Sequence, residues 1–195
     1  MYVSKSNLRL KFISKRKNFY LKNLRFPFDK IFKLIKRNYS QKKISIAGYY
    51  PSDYEVNALD FLSELNKNKN KVCLPVIKKN YKMDFKYWNL EEPLYINKYG
   101  ILEPSRKNKT LSPDIILVPL VSYDKNLNRI GYGKGYYDRV LKQLSGKKKI
   151  LTIGLAFSFQ ECSFVPTNRY DYKLDCILTD RKLHYNKSNE NFIFR

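Results

Sequence analysis

Apolar runs alternate along the chain with stretches whose hydrophobic residues recur at helical spacing. Buried strands are predicted at 44–50, 72–77, 115–118, 150–157 and 176–179, and the alternating residues 83–88 predict one more. Helices are predicted at 5–17, about 28–39, about 55–65 and from residue 136 onward. Periodicity alone also allows 115–118 to be helical. The order of elements predicts an α/β fold in one domain, residues 1–182, with a mostly parallel central sheet flanked by helices in a Rossmann-like layered architecture.

The region after residues 115–118 combines a glycine-rich turn with charged side chains. Three glycines stand at alternate positions directly before the helix predicted from Tyr136 onward, namely Gly131, Gly133 and Gly135. A glycine-rich turn between a strand and a helix presents unpaired backbone N–H groups to which an anion can bind. Arg129 and Lys134 would neutralise a polyphosphate, and Asp138 would be able to hold magnesium.

An isolated glycine triplet is nevertheless more typical of a tight turn whose glycines serve only backbone geometry. In that interpretation Asp138 is a first-turn carboxylate that the helix dipole stabilises. Neither GxxxxGK[ST] nor GxGxxG is present. The residues by themselves therefore indicate a phosphate-binding loop as one of two open interpretations.

Length and composition limit the classes of protein to which this chain can belong. Its 195 residues suit one domain with a sizeable core. No apolar run approaches membrane-spanning length, and the basic N-terminus has no apolar secretory core, so we expect a cytoplasmic protein. Three widely spaced cysteines predict neither a disulfide framework nor a zinc site. The single histidine, His184, lies in the predicted polar tail 183–195 and excludes a Ser-His-Asp mechanism.

The formal net charge of +22 allows two interpretations. It could mark a surface for nucleic acid or for an anionic membrane. The alternative, which we favour, is a solvated lysine-rich surface, because lysine, asparagine, isoleucine and tyrosine are abundant throughout the chain. A positive charge also attracts ATP and polyanionic folates.

The wording of residues 129–139, RIGYGKGYYDR, resembles the signature of the 5-formyltetrahydrofolate cyclo-ligase family, also called 5,10-methenyltetrahydrofolate synthetases. The paired tyrosines, the aspartate after them and the upstream VP all agree with that signature. Further blocks that resemble the family's occur in the family's order: KxxLR at 5–9, Y-x-P and E-V within 49–56, LPVI at 74–77, YGIxEP at 99–104, A-x-x-x-Q at 156–160 and a relative of H-D-x-x-L-D at 170–175. The resemblance covers roughly residues 5–180.

The resemblance implies an ATP-dependent and magnesium-dependent cyclisation of 5-formyltetrahydrofolate to 5,10-methenyltetrahydrofolate. In the family, ATP phosphorylates the formyl oxygen, a second folate nitrogen attacks the activated carbon, and phosphate leaves. The implied partners are the folate and ATP, with no obligatory nucleic acid and no membrane, in a monomer or weak dimer. Positioning and charge stabilisation would supply most of the catalysis, without a covalent protein nucleophile.

The family's roles transfer to this sequence position by position. The catalytic residues would be Lys134 and Arg129, and magnesium would be held by Asp138 and Asp175, with Asp171 ranked below them. The ATP-binding residues would be Lys5, Arg9, Arg129, Ile130, Gly131, Tyr132, Gly133, Lys134, Gly135, Tyr136 and Tyr137. The substrate-binding residues would be Tyr50, Glu55, Met83, Tyr99, Tyr132, Gly133, Lys134, Gly135 and Tyr136.

Several of these assignments have simpler alternatives. Lys5 and Arg9 could decorate a solvated helix face, and Glu55 could be a first-turn residue of its helix. Met83 and Tyr99 could be ordinary core residues. The sequence also departs from the family at Ala58, where threonine is common, and at Tyr170, where histidine is common. These departures leave open an inactive relative, and the charge leaves open a nucleic-acid-binding module.

Overall fold

Four α-helices and twelve short strands make up the part of the chain that the computed structural model describes, residues 4–20, 26–39 and 43–186. The helices are α1 (Lys5–Tyr20), α2 (Asp29–Tyr39), α3 (Leu59–Lys67) and α4 (Tyr136–Ser145), and a 3₁₀ turn covers Ser158–Gln160. The strands are β1 (Ser45–Ala47), β2 (Lys71–Ile77), β3 (Met83–Tyr87), β4 (Tyr95–Ile96), β5 (Leu102–Glu103), β6 (Thr110–Leu111), β7 (Ile115–Pro119), β8 (Ser122–Tyr123), β9 (Arg129–Ile130), β10 (Leu151–Leu155), β11 (Cys176–Leu178) and β12 (Leu183–Tyr185).

Eight of these strands form one sheet in the order β12-β11-β10-β7-β1-β2-β3-β6. The five strands from β11 to β2 are parallel, whereas β12 at one edge and β3 and β6 at the other run antiparallel. Buried parallel strands are typically apolar on both faces, and residues 115–118 of β7 are all buried. The prediction of an α/β domain with a mostly parallel central sheet is confirmed, and residues 115–118 are a strand.

Helices cover both faces of the sheet. The core on one face contains Ile31 and Leu34 of α2 together with Phe61, Leu62 and Leu65 of α3. The core on the other face contains Val140 and Leu141 of α4. A smaller cluster forms where Leu8 and Phe12 of α1 pack against Ile130, Val121 and Val165. No helix in the described ranges combines the length and the apolar character needed to cross a bilayer.

The segment between β1 and α3 differs from the prediction at both of its ends. The strand predicted at 44–50 ends at Ala47, and the helix predicted from about 55 begins at Leu59. Between them, Asp53 and Tyr54 adopt positive φ angles of 45° and 61°. Helical residues need negative φ, so this turn delays the helix. Glu55 is therefore not a first-turn helix residue, and the helix-dipole interpretation of that carboxylate is wrong.

The predicted polar tail at 183–195 begins with a strand. Leu183–Tyr185 pairs antiparallel with β11 and forms an edge of the main sheet, while residues 187–195 lie outside the described part of the chain. The prediction missed β12 because a three-residue strand at a sheet edge needs little apolar periodicity. The structured domain thus extends beyond residue 182.

The chain order locates a crevice at the middle of the sheet. From β1 the chain passes to its neighbour β2 on one side, while β7 lies on the other side of β1 and leads on to β10 and β11. The segments that follow β1 and β7 therefore diverge from adjacent strands. In open α/β sheets, ligands bind at this kind of switch point, beyond the carboxyl ends of the strands. Glu55 follows β1, and the glycine-rich loop follows β7 by way of the β8–β9 hairpin.

Candidate active site

The loop at 131–135 has the backbone geometry of an anion-binding turn. Gly133 and Gly135 adopt φ angles of +91° and +66°, and Gly135 occupies the N-cap position of α4. Left-handed backbone at these positions favours glycine. Within the described residues, none of the loop's five backbone N–H groups has an acceptor in the protein. The loop therefore offers free donors next to the positive end of a helix dipole.

Basic side chains surround this loop. Lys134 is exposed at its centre. From α1, the Arg9 Nε donates to the Gly131 carbonyl at 2.8 Å. A Cβ added to Gly133 would lie 3.2 Å from the Arg9 Nη2. From α4, the Arg139 Nη1 donates to the Lys134 carbonyl at 2.8 Å. Both guanidinium groups thus lie along the loop, where they support a negatively charged occupant.

Arg129 has contacts different from those predicted. Its side chain is only 4% exposed; Nη1 donates to the Tyr172 carbonyl at 2.6 Å and Nη2 donates to the Asp138 Oδ1 at 2.8 Å. The guanidinium is therefore engaged inside the protein, where it orients Asp138, instead of facing the loop. Ile130 likewise packs its side chain in the core, with 1% exposure, so only its backbone borders the loop.

The predicted convergence of Asp138 and Asp175 is not found. Asp175 directly precedes β11, and its Oδ2 accepts hydrogen bonds from the Thr152 backbone at 2.8 Å and from the Thr152 hydroxyl at 2.7 Å, near the beginning of β10. Asp138 lies in the first turn of α4, which begins beyond the other ends of the strands. Parallel strands all begin at one end of the sheet and finish at the other. The two carboxylates therefore lie toward opposite ends of the strands.

Asp171 is next in sequence to a residue that contacts Asp138. The backbone N–H of the next residue, Tyr172, donates to the Asp138 Oδ1 at 3.1 Å. The Asp171 carboxylate itself accepts both hydrogen bonds of Lys5, at 2.8 and 2.6 Å. Lys5, predicted to bind ATP, thus pairs with Asp171 instead of decorating a solvated helix face.

The donor set at this position fits magnesium better than a metal that needs many protein ligands. No group of three or more histidine, cysteine or acidic residues that could hold a metal occurs in the described ranges. Magnesium commonly uses one or two carboxylates together with water and phosphate oxygens. Asp138 offers one such carboxylate, paired with Arg129, and Asp171 offers another, paired with Lys5.

Glu55 lies in a buried polar pocket on the other side of the crevice. Glu55 is only 5% exposed. Its Oε2 accepts hydrogen bonds from the Ser52 backbone N–H at 2.9 Å and from the Ser52 hydroxyl at 3.3 Å. Burial raises the pKa of Glu55, while the hydrogen bonds from Ser52, the Arg16 charge and the Tyr132 hydroxyl lower it. Tyr50, predicted to line the same pocket, is half-buried between β1 and this turn.

The second tyrosine of the pair after the loop also points to this pocket. The Tyr137 hydroxyl is buried and lacks a hydrogen-bond partner among the described residues. Burial, and then the Glu55 charge, raise the pKa of Tyr137. Tyr137 was predicted to bind ATP, but its hydroxyl lies on the Glu55 side, where a ligand's polar edge would find an unused donor.

Three tyrosines cluster near the start of α4, of which Tyr81 and Tyr99 are exposed and Tyr136 is partly buried. The hydroxyls of Tyr99 and Tyr136 lie 3.2 Å apart, and the Tyr81 ring lies 6.1 Å from the Tyr136 ring. Burial together with the hydrogen bond to Tyr99 raises the pKa of Tyr136 to about 12. Tyr99 is 42% exposed, so it is a surface residue and not the core residue of the alternative interpretation. Met83 is buried beside a cavity of about 260 Å³ that lies between α4 and β3.

Sequence reasoning assigned no role to Arg16 or Arg139 and ranked Asp171 below Asp175. Arg16 carried a detectable signal, because it follows Leu8 and Phe12 at intervals of four and so continues their buried stripe. Arg139 stands within the signature stretch itself. The position of Asp171 had no local signal, since it depends on how the segment before β11 crosses the start of α4.

The comparison with family models matches residues 2–180, nearly the whole described chain, to the 5-formyltetrahydrofolate cyclo-ligase family. The chain belongs to this family of ligases. Among its relatives, the 5-formyltetrahydrofolate cyclo-ligase of Haemophilus influenzae is 33% identical over 141 residues, which are 69% of this chain and 74% of the relative. The cyclo-ligase of Mycoplasma genitalium is 38% identical over 135 residues, or 69% of this chain and 71% of the relative.

Solved structures agree with the membership. The NMR structure of the Aquifex aeolicus 5,10-methenyltetrahydrofolate synthetase is 29% identical and superposes with a TM-score of 0.75, covering 94% of this chain and 93% of the other. The synthetase of Mycoplasma pneumoniae is 28% identical with a TM-score of 0.67, covering 92% of this chain and all of the other. The family that the signature stretch and the ordered blocks resemble is thus confirmed.

Proposed function

We propose that this family member catalyses the cyclisation of 5-formyltetrahydrofolate to 5,10-methenyltetrahydrofolate, with ATP and magnesium, and releases ADP and phosphate. One observation carries the proposal: a loop whose five backbone N–H groups lack acceptors among the described residues and the buried carboxylate of Glu55 follow two adjacent strands, β7 and β1, at the switch point of the sheet. A phosphate chain suits the loop, and the N–H edge of a folate ring suits the carboxylate. The cytoplasmic location and the independence from nucleic acid stay predictions from the sequence.

The loop and its basic neighbours would bind the phosphates of ATP. Backbone N–H groups of 131–135 would donate to phosphate oxygens, with no side chain between them because Gly133 and Gly135 have no Cβ. Lys134, exposed and free to turn toward the crevice, would neutralise the transferring phosphoryl group as a point charge. Arg9 and Arg139 would hold the loop in shape through its carbonyls.

Magnesium would be held by Asp138 and Asp171. When bound, it would neutralise charge on the phosphate oxygens and orient them for transfer. Arg129 would keep the Asp138 carboxylate oriented before the metal arrives, and Lys5 would do the same for Asp171. In this proposal Asp171 takes the role that the sequence prediction gave to Asp175, whose carboxylate accepts hydrogen bonds from Thr152 near the beginning of β10.

Glu55 would hold the folate ring. A carboxylate accepts two N–H donors from the edge of a pterin, and the pocket's burial excludes water that would compete for them. The exposed Tyr99 ring and the partly buried Tyr136 ring would contact the more distant part of the folate. In the reaction, the formyl oxygen takes the terminal phosphoryl group of ATP, and ADP leaves. The second folate nitrogen then forms a bond to the formyl carbon and loses its proton, and the carbon–oxygen bond breaks as phosphate leaves.

The direct test is the growth of methenyl-folate absorbance when purified protein is mixed with 5-formyltetrahydrofolate, magnesium and ATP. We expect growth that requires ATP. We also expect Lys134→Ala to lower turnover by about 10²-fold or more, because a preorganised charge is lost from the transferring group. The matched control is Lys147→Ala, an exposed lysine just after α4, which should keep full activity.

Two results would contradict the proposal or its assignment of roles. A folded protein that binds ATP but produces no absorbance would support an inactive relative. Equal turnover in Lys134→Ala and Lys147→Ala would remove Lys134 from the mechanism. Urea unfolding of both variants would show that neither effect arises from a loss of folding.

A further inference from the structure

A cavity of about 260 Å³ lies between α4 and the hairpin that joins β2 to β3. Met83 and Val140 are buried and form its apolar lining. The rest of the lining is polar or charged and consists of Lys78, Lys82, Asp84, Arg139 and Gln143. Residues 131–135 and Glu55 do not line it, so the cavity is distinct from the glycine loop and from the Glu55 pocket.

Positive charge predominates in the cavity. Lys78 forms an ion pair with Asp84, which neutralises one of the three cations in the lining. Lys82 and Arg139 have no carboxylate partner among the described residues. Two cations at one cavity repel each other, and an anion with two negative groups would neutralise both. The lining therefore favours a dianionic ligand.

Arg139 connects the cavity to the glycine loop. Its Nη1 donates to the Lys134 carbonyl at 2.8 Å, which fixes the guanidinium beside the loop. The guanidinium carbon lies 5.4 Å from the centre of the Tyr81 ring, a distance at which an aromatic face attracts a cation. The Tyr81 ring in turn lies 6.1 Å from the Tyr136 ring. The cavity thus adjoins the tyrosines that would contact the more distant part of the folate.

The hairpin that carries Tyr81 has a strained turn. The Lys82 N–H donates to the Lys79 carbonyl at 3.3 Å, and the two residues between them, Asn80 and Tyr81, adopt φ angles of 57° and 54°. Turns with two positive φ angles favour asparagine followed by glycine. A tyrosine at the second position is strained, because its Cβ disfavours left-handed backbone. Its ring contacts Arg139 at the cavity, and glycine would provide no such contact.

We propose that this cavity binds the carboxylates of the glutamate at the end of the folate, with Lys82 and Arg139 as the cations that recognise them. The inference rests on the proposed function, in which 5-formyltetrahydrofolate is the substrate. Its glutamate lies at the end opposite to the pterin ring and carries two carboxylates, which match the two unpaired cations. Arginine binds a carboxylate through its forked donors, and lysine acts as a point charge.

The test compares the dissociation constants of two compounds, measured by calorimetric titration without ATP, so that no turnover is needed. One compound is 5-formyltetrahydrofolate, and the other is 5-formyltetrahydropteroate, which has the same ring system but lacks the glutamate. We expect the wild-type protein to bind the folate more tightly. Lys82→Gln should reduce this preference about fivefold, the effect of one partly exposed ion pair, and about 0.5 M NaCl should diminish the difference between variant and wild type.

Lys79→Gln is the matched control for this comparison. Lys79 is an exposed lysine of the same hairpin, but it does not line the cavity. We expect this variant to bind both compounds as the wild-type protein does. Lys82→Glu places a negative charge at the cavity and should reduce the preference for the folate further than Lys82→Gln.

Tyr81→Gly separates a binding role from a structural one. Glycine tolerates positive φ, so the urea midpoint should stay the same or rise. Affinity for 5-formyltetrahydrofolate should nevertheless fall, because Arg139 loses the ring that holds its guanidinium at the cavity. A tyrosine needed only for packing would give the reverse result, with lower stability and unchanged affinity.

Three results would overturn the inference and leave the proposed function intact. They are equal affinities of the wild-type protein for the two compounds, an unchanged preference in Lys82→Gln, and a loss of affinity in that variant that is equal for both compounds. If the wild-type protein binds neither compound, the proposed function fails and this inference fails with it.

Discussion

At the scale of single residues, Gly131 and Gly133 stand two positions apart in the loop and meet different constraints. Gly133 has a φ of +91°, and a Cβ there would contact the Arg9 guanidinium at 3.2 Å. Gly131 has no such positive φ, and a Cβ built on it would meet nothing within 4 Å. The two glycines therefore separate the effect of backbone strain from the effect of simply adding a methyl group to the loop.

We predict that Gly133→Ala lowers the free energy of unfolding by about 1–2 kcal/mol, the cost of left-handed backbone for a residue with a Cβ. It should also weaken ATP binding, because the strained loop relaxes away from the geometry that presents its N–H groups. Gly131→Ala should change stability by less than about 0.5 kcal/mol. Urea unfolding and ATP titration of both variants would measure this, and equal effects would contradict the role of φ.

The pair of Arg129 and Asp138 allows a second prediction at this scale. Arg129→Met should destabilise the protein by about 3 kcal/mol, because it removes one partner of a largely buried ion pair and leaves the other uncompensated. The matched control is Arg181→Met, since Arg181 is 80% exposed and lies 3.9 Å from Asp180. That variant should cost under about 1 kcal/mol. Similar urea midpoints for the two variants would show that the Arg129 pair has no special weight.

At the scale of elements, β12 is a strand of the main sheet, although the sequence predicts a polar tail there. His184 lies on this strand, with Nε2 3.3 Å from the Tyr123 hydroxyl and the two rings 5.3 Å apart. Burial lowers the pKa of His184, and the Lys182 charge lowers it further, while Glu161 opposes the change. An undocked tail would instead leave this side chain at its ordinary pKa of about 6.5.

We predict that His184 titrates below pH 6.5 in the folded protein. It is the only histidine, so its imidazole C–H resonance is identified without assignment in a proton NMR titration. Because the folded pKa is lower than the unfolded one, the unfolded chain binds the proton more tightly, and stability falls as pH drops from 6.5 through the folded pKa.

His184→Gln should remove that part of the pH dependence of unfolding while it leaves stability at pH 8 less affected. A His184 midpoint at or above 6.5, or an unchanged pH dependence in the variant, would argue against a docked β12. Lys182→Ala is a useful companion, since it removes a neighbouring charge and should raise the His184 midpoint slightly.

At the scale of the whole molecule, the formal charge of +22 makes self-repulsion a general term in stability. We predict that the unfolding temperature rises when NaCl increases from about 20 to 200 mM, because salt screens repulsion between surface charges. Phosphate at matched ionic strength should raise it further, since the glycine loop would bind the anion. A calorimetric scan measures both effects.

The additional effect of phosphate should shrink in Lys134→Ala and persist in Lys147→Ala. If phosphate and chloride act equally in the wild-type protein, the loop has no preference for phosphate. A fall in unfolding temperature with added salt would show that attractive surface pairs outweigh the repulsion, contrary to the net charge.

The sequence determined the family, the α/β fold class and the residues of the glycine loop. Those features depend on local order, since apolar runs predict strands and the spacing of Gly131, Gly133 and Gly135 before a helix reports a turn. The tertiary structure decided which charges meet. Tyr172, the neighbour of Asp171, contacts Asp138, whereas Asp175 contacts Thr152, and Arg16 reaches Tyr132 of the glycine loop. These contacts depend on the end of the sheet to which each segment returns. The spacing of residues along the chain does not determine which distant segments pack together. Residues from those segments form one site only because the sheet and α1 pack against each other.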